Sequence, residues 1–261
     1  MSTMLLSFLS FWDNAVSEDS QDLVAKIITI AIAVILVALV VLLIVMNRKG
    51  QFFTTANIAS AGICLAASFT LSFIKFSFPN GGSITAASMV PVMLYAYFFG
   101  PASGLAVGVV YGLLQFIQAP YLLTPASFLL DYPFAFCSIF WMGFAGKWTK
   151  MGEWQRITIG CILVYVTRFA MHLLSGFIYF NHGIVVSQLP HANAFVYSLV
   201  YQMTYIPLDM VIAVAALIAL SKTKALESIA KIVRKKAFFS VSTKNNDFTY
   251  KNIKFLPPFS L

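Results

Sequence analysis

The stretch YVTRFAMHLLSGFIYF, residues 165–180, has the apolar content of a membrane helix, yet Arg168 and His172 interrupt it. Four residues apart, the two lie on one helix face, about one turn from each other. A charged side chain near the bilayer centre costs about 2.5–3.5 kcal/mol on insertion scales, so such residues face a bundle interior or a polar cavity. The stretch therefore implies a membrane bundle and something polar held inside it.

The rest of the chain agrees. Of its 261 residues 60% are hydrophobic and 10% charged, and the mean hydropathy is +0.85. Soluble domains carry about 25% charged residues, so this is an integral membrane protein. Apolar runs near the length that spans a bilayer, about 20 residues, fall at 22–46, 54–77, 86–100, 103–119, 125–146, 157–180 and 194–220. The reading is all-α and polytopic. Residues 51–221 form a six-helix core, residues 1–50 hold an outer segment and one extra transmembrane helix, and 222–261 form a basic cytoplasmic tail. An acidic flank and the lack of a small-residue cleavage site make the first run a retained helix, not a signal peptide.

The net charge of +8 is a topology signal. Nine of the 17 Lys and Arg follow residue 221, and Arg48, Lys49, Lys147, Lys150 and Arg156 occupy two short connections. Under the positive-inside rule these face the cytoplasm, whereas 78–85, 119–125 and 181–193 face outward. The N-terminus is then outside, in a cell membrane, and nucleic acid is excluded as a partner. In the tail, Ala225, Leu226, Ile229, Ile232 and Val233 recur at helical spacing opposite Lys residues, as in a helix lying on the anionic inner leaflet. Cys64, Cys137 and Cys161 fall inside spans and read as packing residues.

Few polar groups persist at membrane depth: Asp131, Arg168, His172, Gln202 and Asp209. All but Asp209 fall in the outer half of their spans, at depths agreeing within about two turns, consistent with one cavity opening outward. Tyr121, Tyr132, Tyr179, Phe180, Tyr197, Tyr201 and Tyr205 accompany them. Each alone reads as an interfacial belt residue. Together, an anion, an imidazole and several π faces suit a flat, cationic, hydrogen-bonding ligand, since a ring cation gains about 0.5–2 kcal/mol over an aromatic face. Arg168 is expected to pair with Asp131 in the empty site, or to bind a hydroxyl or phosphate. Asp209, beside Pro207, is expected to bond a backbone amide freed by the proline, with a role in coupling as the alternative.

Catalytic motifs are missing. There is no HExxH, no GxSxG and no paired carboxylate for metal-bound phosphates, and GKWT at 146–149 has Trp141 where a phosphate loop needs its first glycine. The chain therefore reads as a non-enzyme without an ATPase or cofactor of its own.

Three blocks resemble the thiamine-specific substrate-binding subunits (S components) of energy-coupling factor (ECF) vitamin transporters, over roughly residues 54–220. The first is YLLTPASFLLDYPFAFCSIFWMGFAG, where Tyr121, Asp131, Tyr132 and Pro133 match. In the second, RFAMHLLSGFIYF, the matches are Arg168, His172, Ser175, Gly176 and Phe180. In AFVYSLVYQ they are Tyr197 and Gln202. Asp stands for the usual Glu, Arg for Lys, Gln for Asn and Phe for Trp. The resemblance implies six core helices and a ligand site near the outer face. Asp131 would bond an aminopyrimidine, with Tyr121, Tyr132 and Phe180 in ring contact and His172, Tyr197 and Gln202 completing the pocket. It further implies a membrane-embedded coupling protein and two cytoplasmic ATPases, which use the ATP, with the subunit toppling to release ligand inward. The small residues Ala56, Ala59, Ser60, Gly62 and Ala66 offer a smooth face to such a coupling protein. The competing readings are an S component for another heteroaromatic vitamin or a pyrimidine precursor, an intramembrane enzyme, and a ligand-sensing receptor.

Overall fold

The computed structural model describes residues 55–78, 82–120, 125–180 and 194–223, together with Val34, so the connection 181–193, expected to face outward, lies outside the described residues. The extra helix expected at 22–46, Tyr121 and the tail from 224 onward lie outside the described residues. Helix α1 (Thr55–Ser72) leads into a hairpin of β1 (Lys75–Ser77) and β2 (Ser83–Thr85), then α2 (Val90–Phe99) and α3 (Pro101–Gln118). The next span is α4 (Pro125–Leu129), a π-helical turn (Leu130–Phe134), α5 (Ala135–Cys137) and α6 (Phe140–Ala145). Helices α7 (Glu153–Phe180) and α8 (Ala194–Ser221) complete the bundle. The core expected from the apolar runs is thus present. Pro101–Gln118, Ser127–Ala145, Glu153–Phe177 and Phe195–Ser221 are long and apolar enough to cross a membrane.

Helix α2 departs from expectation. Its 10 residues reach about 15 Å, half of a hydrocarbon core about 30 Å thick. The run at 86–100 is a half-span because its first residues are not helical: Ala87 takes φ 57°, and helix begins at Val90 with Pro91 in its first turn, a position that needs no N–H donor. The hairpin's register sets Phe76 opposite Ile84 and Lys75 opposite Thr85, and Thr85 bonds Asp209, midway along α8. The connection 78–85, expected to lie outside, therefore reaches into the bundle at its β2 end. Irregular backbone at that depth is tolerated where protein buries it.

Buried α2 is the centre of the core: Val92, Met93 and Ala96 have no exposed surface. A single residue, Gly100, joins it to α3 with φ 91°, a left-handed conformation that only glycine adopts at little cost. Helix α3 carries Gly104, Gly108 and Gly112 at four-residue spacing. A Cβ on Gly104 would stand 2.8 Å from that of Ala96, one on Gly108 would collide with the Phe136 carbonyl, and one on Gly112 would stand 2.5 Å from the Tyr132 carbonyl oxygen. The stripe lets α3 lie directly against α2 and the π-turn span, as small-xxx-small surfaces do in membranes. Arg156, expected in a cytoplasmic connection, is instead in the first turn of α7, buried, with its guanidinium 5.9 Å from the Tyr97 ring.

Candidate functional site

Pro133 cannot donate to the helix ladder, and the backbone around it widens: the Ala135 N–H reaches the Leu130 carbonyl, five residues back. Such π-turns arise where the ladder is interrupted, and they recur at functional sites. This one carries Asp131 and Tyr132. The carboxylate of Asp131 turns to α7, where His172 Nδ1 lies 2.8 Å from one oxygen and Ser175 Oγ donates to the other at 2.6 Å. An ionised carboxylate only accepts, so Nδ1 is the donor. Nε2 of His172, on the far side of the ring, has no partner. The Asp131 side chain remains 26% exposed, which keeps it reachable by a ligand.

Helix α8 joins this group through Gln202, whose amide donates to the His172 carbonyl at 3.3 Å and whose oxygen accepts the Tyr205 hydroxyl at 2.5 Å. Ser198 adds a bond to the Leu173 carbonyl at 3.0 Å. Tyr197, Tyr201 and Tyr205 form the expected stripe: the first two rings are stacked at 6.5 Å, the second pair edge-to-face at 5.7 Å. Tyr132 lies with Phe116 at 5.1 Å and donates its hydroxyl to the Ala119 carbonyl at 2.7 Å. Gly82, in the hairpin, packs on the Tyr205 ring so closely that a Cβ there would overlap it.

The structure thus brings Asp131, His172, Gln202 and the Tyr197–Tyr205 stripe into one network drawn from three spans. Tyr179 and Phe180 belong to the last turn of α7, but their side chains, like Tyr121 as a whole, lie outside the described residues.

Two expectations are corrected. Arg168 does not pair with Asp131; its Nη1 bonds Asp209 at 3.2 Å and Met89 Sδ at 3.3 Å. Helix side chains lean toward the N-terminus of their own helix, so Arg168 reaches back to α8, while His172, one turn further along α7, meets Asp131. Asp209 does bond a backbone amide, but that of Thr85 in the hairpin at 3.1 Å rather than one freed by Pro207. It also accepts the Thr85 hydroxyl at 3.1 Å and the Tyr165 hydroxyl at 3.0 Å. With Arg168, four donors fill its two oxygens. Ser175, matched in the second resemblance block but not assigned to the site, joins it here; its place three residues after His172 is the signal that finds it.

The arrangement has two layers. The layer around Asp131 holds a partly exposed carboxylate, a half-satisfied imidazole and stacked phenols. The layer around Asp209 is a closed ion pair.

Residues 58–228 match the family model described as thiamine transporter protein (Thia_YuaJ). Over 194 residues the chain is 31% identical to the thiamine transporter ThiT of Bacillus subtilis (strain 168), covering 68% of this chain and 95% of that protein. A solved structure of ThiT from Listeria monocytogenes shares the fold with a TM-score of 0.54 at 21% identity, covering 68% of this chain and 97% of that one. The named relatives are transporters and not enzymes.

Proposed function

The chain belongs to the thiamine transporter family, and from that premise we propose that it is the substrate-capture subunit of an ECF-type importer, binding thiamine at an outward-facing site. It is a multi-pass membrane protein. Its N-terminus lies outside and its C-terminus in the cytoplasm. A coupling membrane protein and two cytoplasmic ATPases supply the energy; this subunit needs no cofactor.

The observation that carries the reading is the Asp131–His172–Ser175 contact beside the tyrosine stripe. A carboxylate with partial exposure accepts the exocyclic amine of an aminopyrimidine, and aromatic faces hold a thiazolium cation. In this reading Tyr121, Tyr132 and Phe180 make ring contacts. His172 offers its free Nε2, Tyr197, Tyr179 and Gln202 complete the wall, and Arg168 stands one layer below. The names and coverage of the relatives support thiamine over another heteroaromatic nutrient.

Titration of the purified protein with a vitamin panel, read by tryptophan and tyrosine fluorescence, tests this. We expect saturable quenching by thiamine at or below micromolar concentration, with the ligand recovered unchanged. Quenching by another vitamin and none by thiamine would reassign the ligand. Release of a modified product would make the protein an enzyme.

A further inference from the structure

The site contains two carboxylates and one guanidinium, and the way they sort is not the way sequence spacing suggests. Arg168 and His172 are neighbours on one face of α7. Arg168 is close enough to the ligand layer for its charge to act there, since Cβ atoms at this spacing are about 5–6 Å apart. The guanidinium packs over Phe136 at 5.0 Å and Tyr165 at 5.8 Å, and its Nε has no partner. Among the described residues its ionic contact is with Asp209, whose side chain is 4% exposed and accepts donors from the hairpin, α7 and Arg168 itself.

We propose that Asp209 is a charge-positioning residue that neutralises and retains Arg168, so that Asp131 faces the ligand as an uncompensated anion and the site selects for a cation. The inference rests on the thiamine reading above and concerns a residue that touches no ligand. Asp131 is then held by His172 and Ser175, one donor on each oxygen, which orient it without requiring a permanent positive charge and leave acceptor capacity for the ligand. Arg168 sits beside the site without poisoning it. Without the Asp209 charge, the guanidinium stands uncompensated about one turn beneath the bound cation. Two unit charges about 8 Å apart at an effective dielectric constant of about 20 repel enough to weaken binding about thirtyfold. Arg168 would also be free to take another rotamer toward Asp131, which adds to the loss.

The discriminating quantity is a ratio: the dissociation constant of the thiophene isostere of thiamine, which has the shape without the ring charge, divided by that of thiamine. A structural role for Asp209 weakens both ligands together and leaves the ratio unchanged. For Asp209→Asn we expect the ratio to fall ten- to thirtyfold. Adding Arg168→Gln to that variant should return the ratio to within about threefold of the original, because both charges are then gone. Arg168→Gln alone should not lower it. Thr85→Val removes one bond from the hairpin to Asp209 but keeps the charge, and its ratio should match that of the unsubstituted chain.

Equal weakening of both ligands in Asp209→Asn, or no recovery in the double variant, overturns the proposal. If Asp209→Asn does not fold, a fall in the ratio for Arg168→Gln overturns it instead. Thiamine is titrated first on the unsubstituted protein. Failure there refutes the ligand assignment, whereas normal binding with an unmoved ratio in Asp209→Asn refutes only this inference.

Discussion

Asp131→Asn is expected to weaken thiamine binding by at least a hundredfold while the protein still folds. The substitution keeps the side-chain shape but removes the charge and turns one acceptor into a donor. Ser175 Oγ and His172 Nδ1 both point hydrogens at the carboxylate, one at each oxygen. An asparagine can accept from one of them, and its amide meets the other donor head-on. A hydrogen bond to a charged group contributes about 1.5–3 kcal/mol, and an unsatisfied buried partner costs about 1–3 kcal/mol more. The sum, set against about 1.4 kcal/mol per factor of ten, gives about two to four orders of magnitude. Asp131→Glu keeps the charge and should retain most of the affinity. Calorimetric titration measures both, with thermal unfolding in detergent as the check on folding. Unchanged thiamine affinity in Asp131→Asn would remove Asp131 from the ligand site.

Much of this architecture could be read from residue order, for a physical reason. A bilayer imposes length and polarity on every span, so the helices now seen at 55–72, 101–118, 153–180 and 194–221 stood out as apolar runs. The same penalty made Asp131, His172 and Gln202 conspicuous. Depth along each span was enough to set Asp131, His172 and Gln202 within about two turns of one level, because a helix converts residue count into distance. Partner choice was not legible. Whether Arg168 turns to Asp131 or to Asp209 depends on the lean of its side chain and on the position of α8, which no local pattern encodes.

The hairpin was hidden too. KFSFPNGGSIT has strands of three residues each, too short for alternation to show, and its place in the bundle comes from tertiary contacts of its β2 side with Asp209 and Tyr205. By contrast, the four-residue spacing of Gly104, Gly108 and Gly112 is plain in the sequence and marks a close helix contact. It is the signal that reading by hydropathy alone passes over.

That stripe leads to the second large effect. Gly112→Val should disable binding and lower stability together. The added Cβ would stand 2.5 Å from the Tyr132 carbonyl oxygen, 2.8 Å from its carbon and 3.2 Å from Pro133 Cα. All three are backbone atoms, so no rotamer change relieves the contact and α3 must move away from the π-turn. Overpacking of a close-packed interior costs about 1–3 kcal/mol, and a collision with backbone on both sides belongs at the upper end. The displaced turn carries Asp131, whose bonds to His172 and Ser175 do not survive a shift of about 1 Å in good geometry. Gly62 is the internal control. Nothing lies within 4 Å of a Cβ there, and alanine exceeds glycine in helix propensity by about 1 kcal/mol. Gly62→Ala should therefore melt at the same temperature or higher and bind thiamine normally, while Gly112→Val melts earlier and binds weakly. Normal binding by Gly112→Val would mean that the carboxylate keeps its place without support from α3, and the link drawn here between helix packing and the ligand site would be broken.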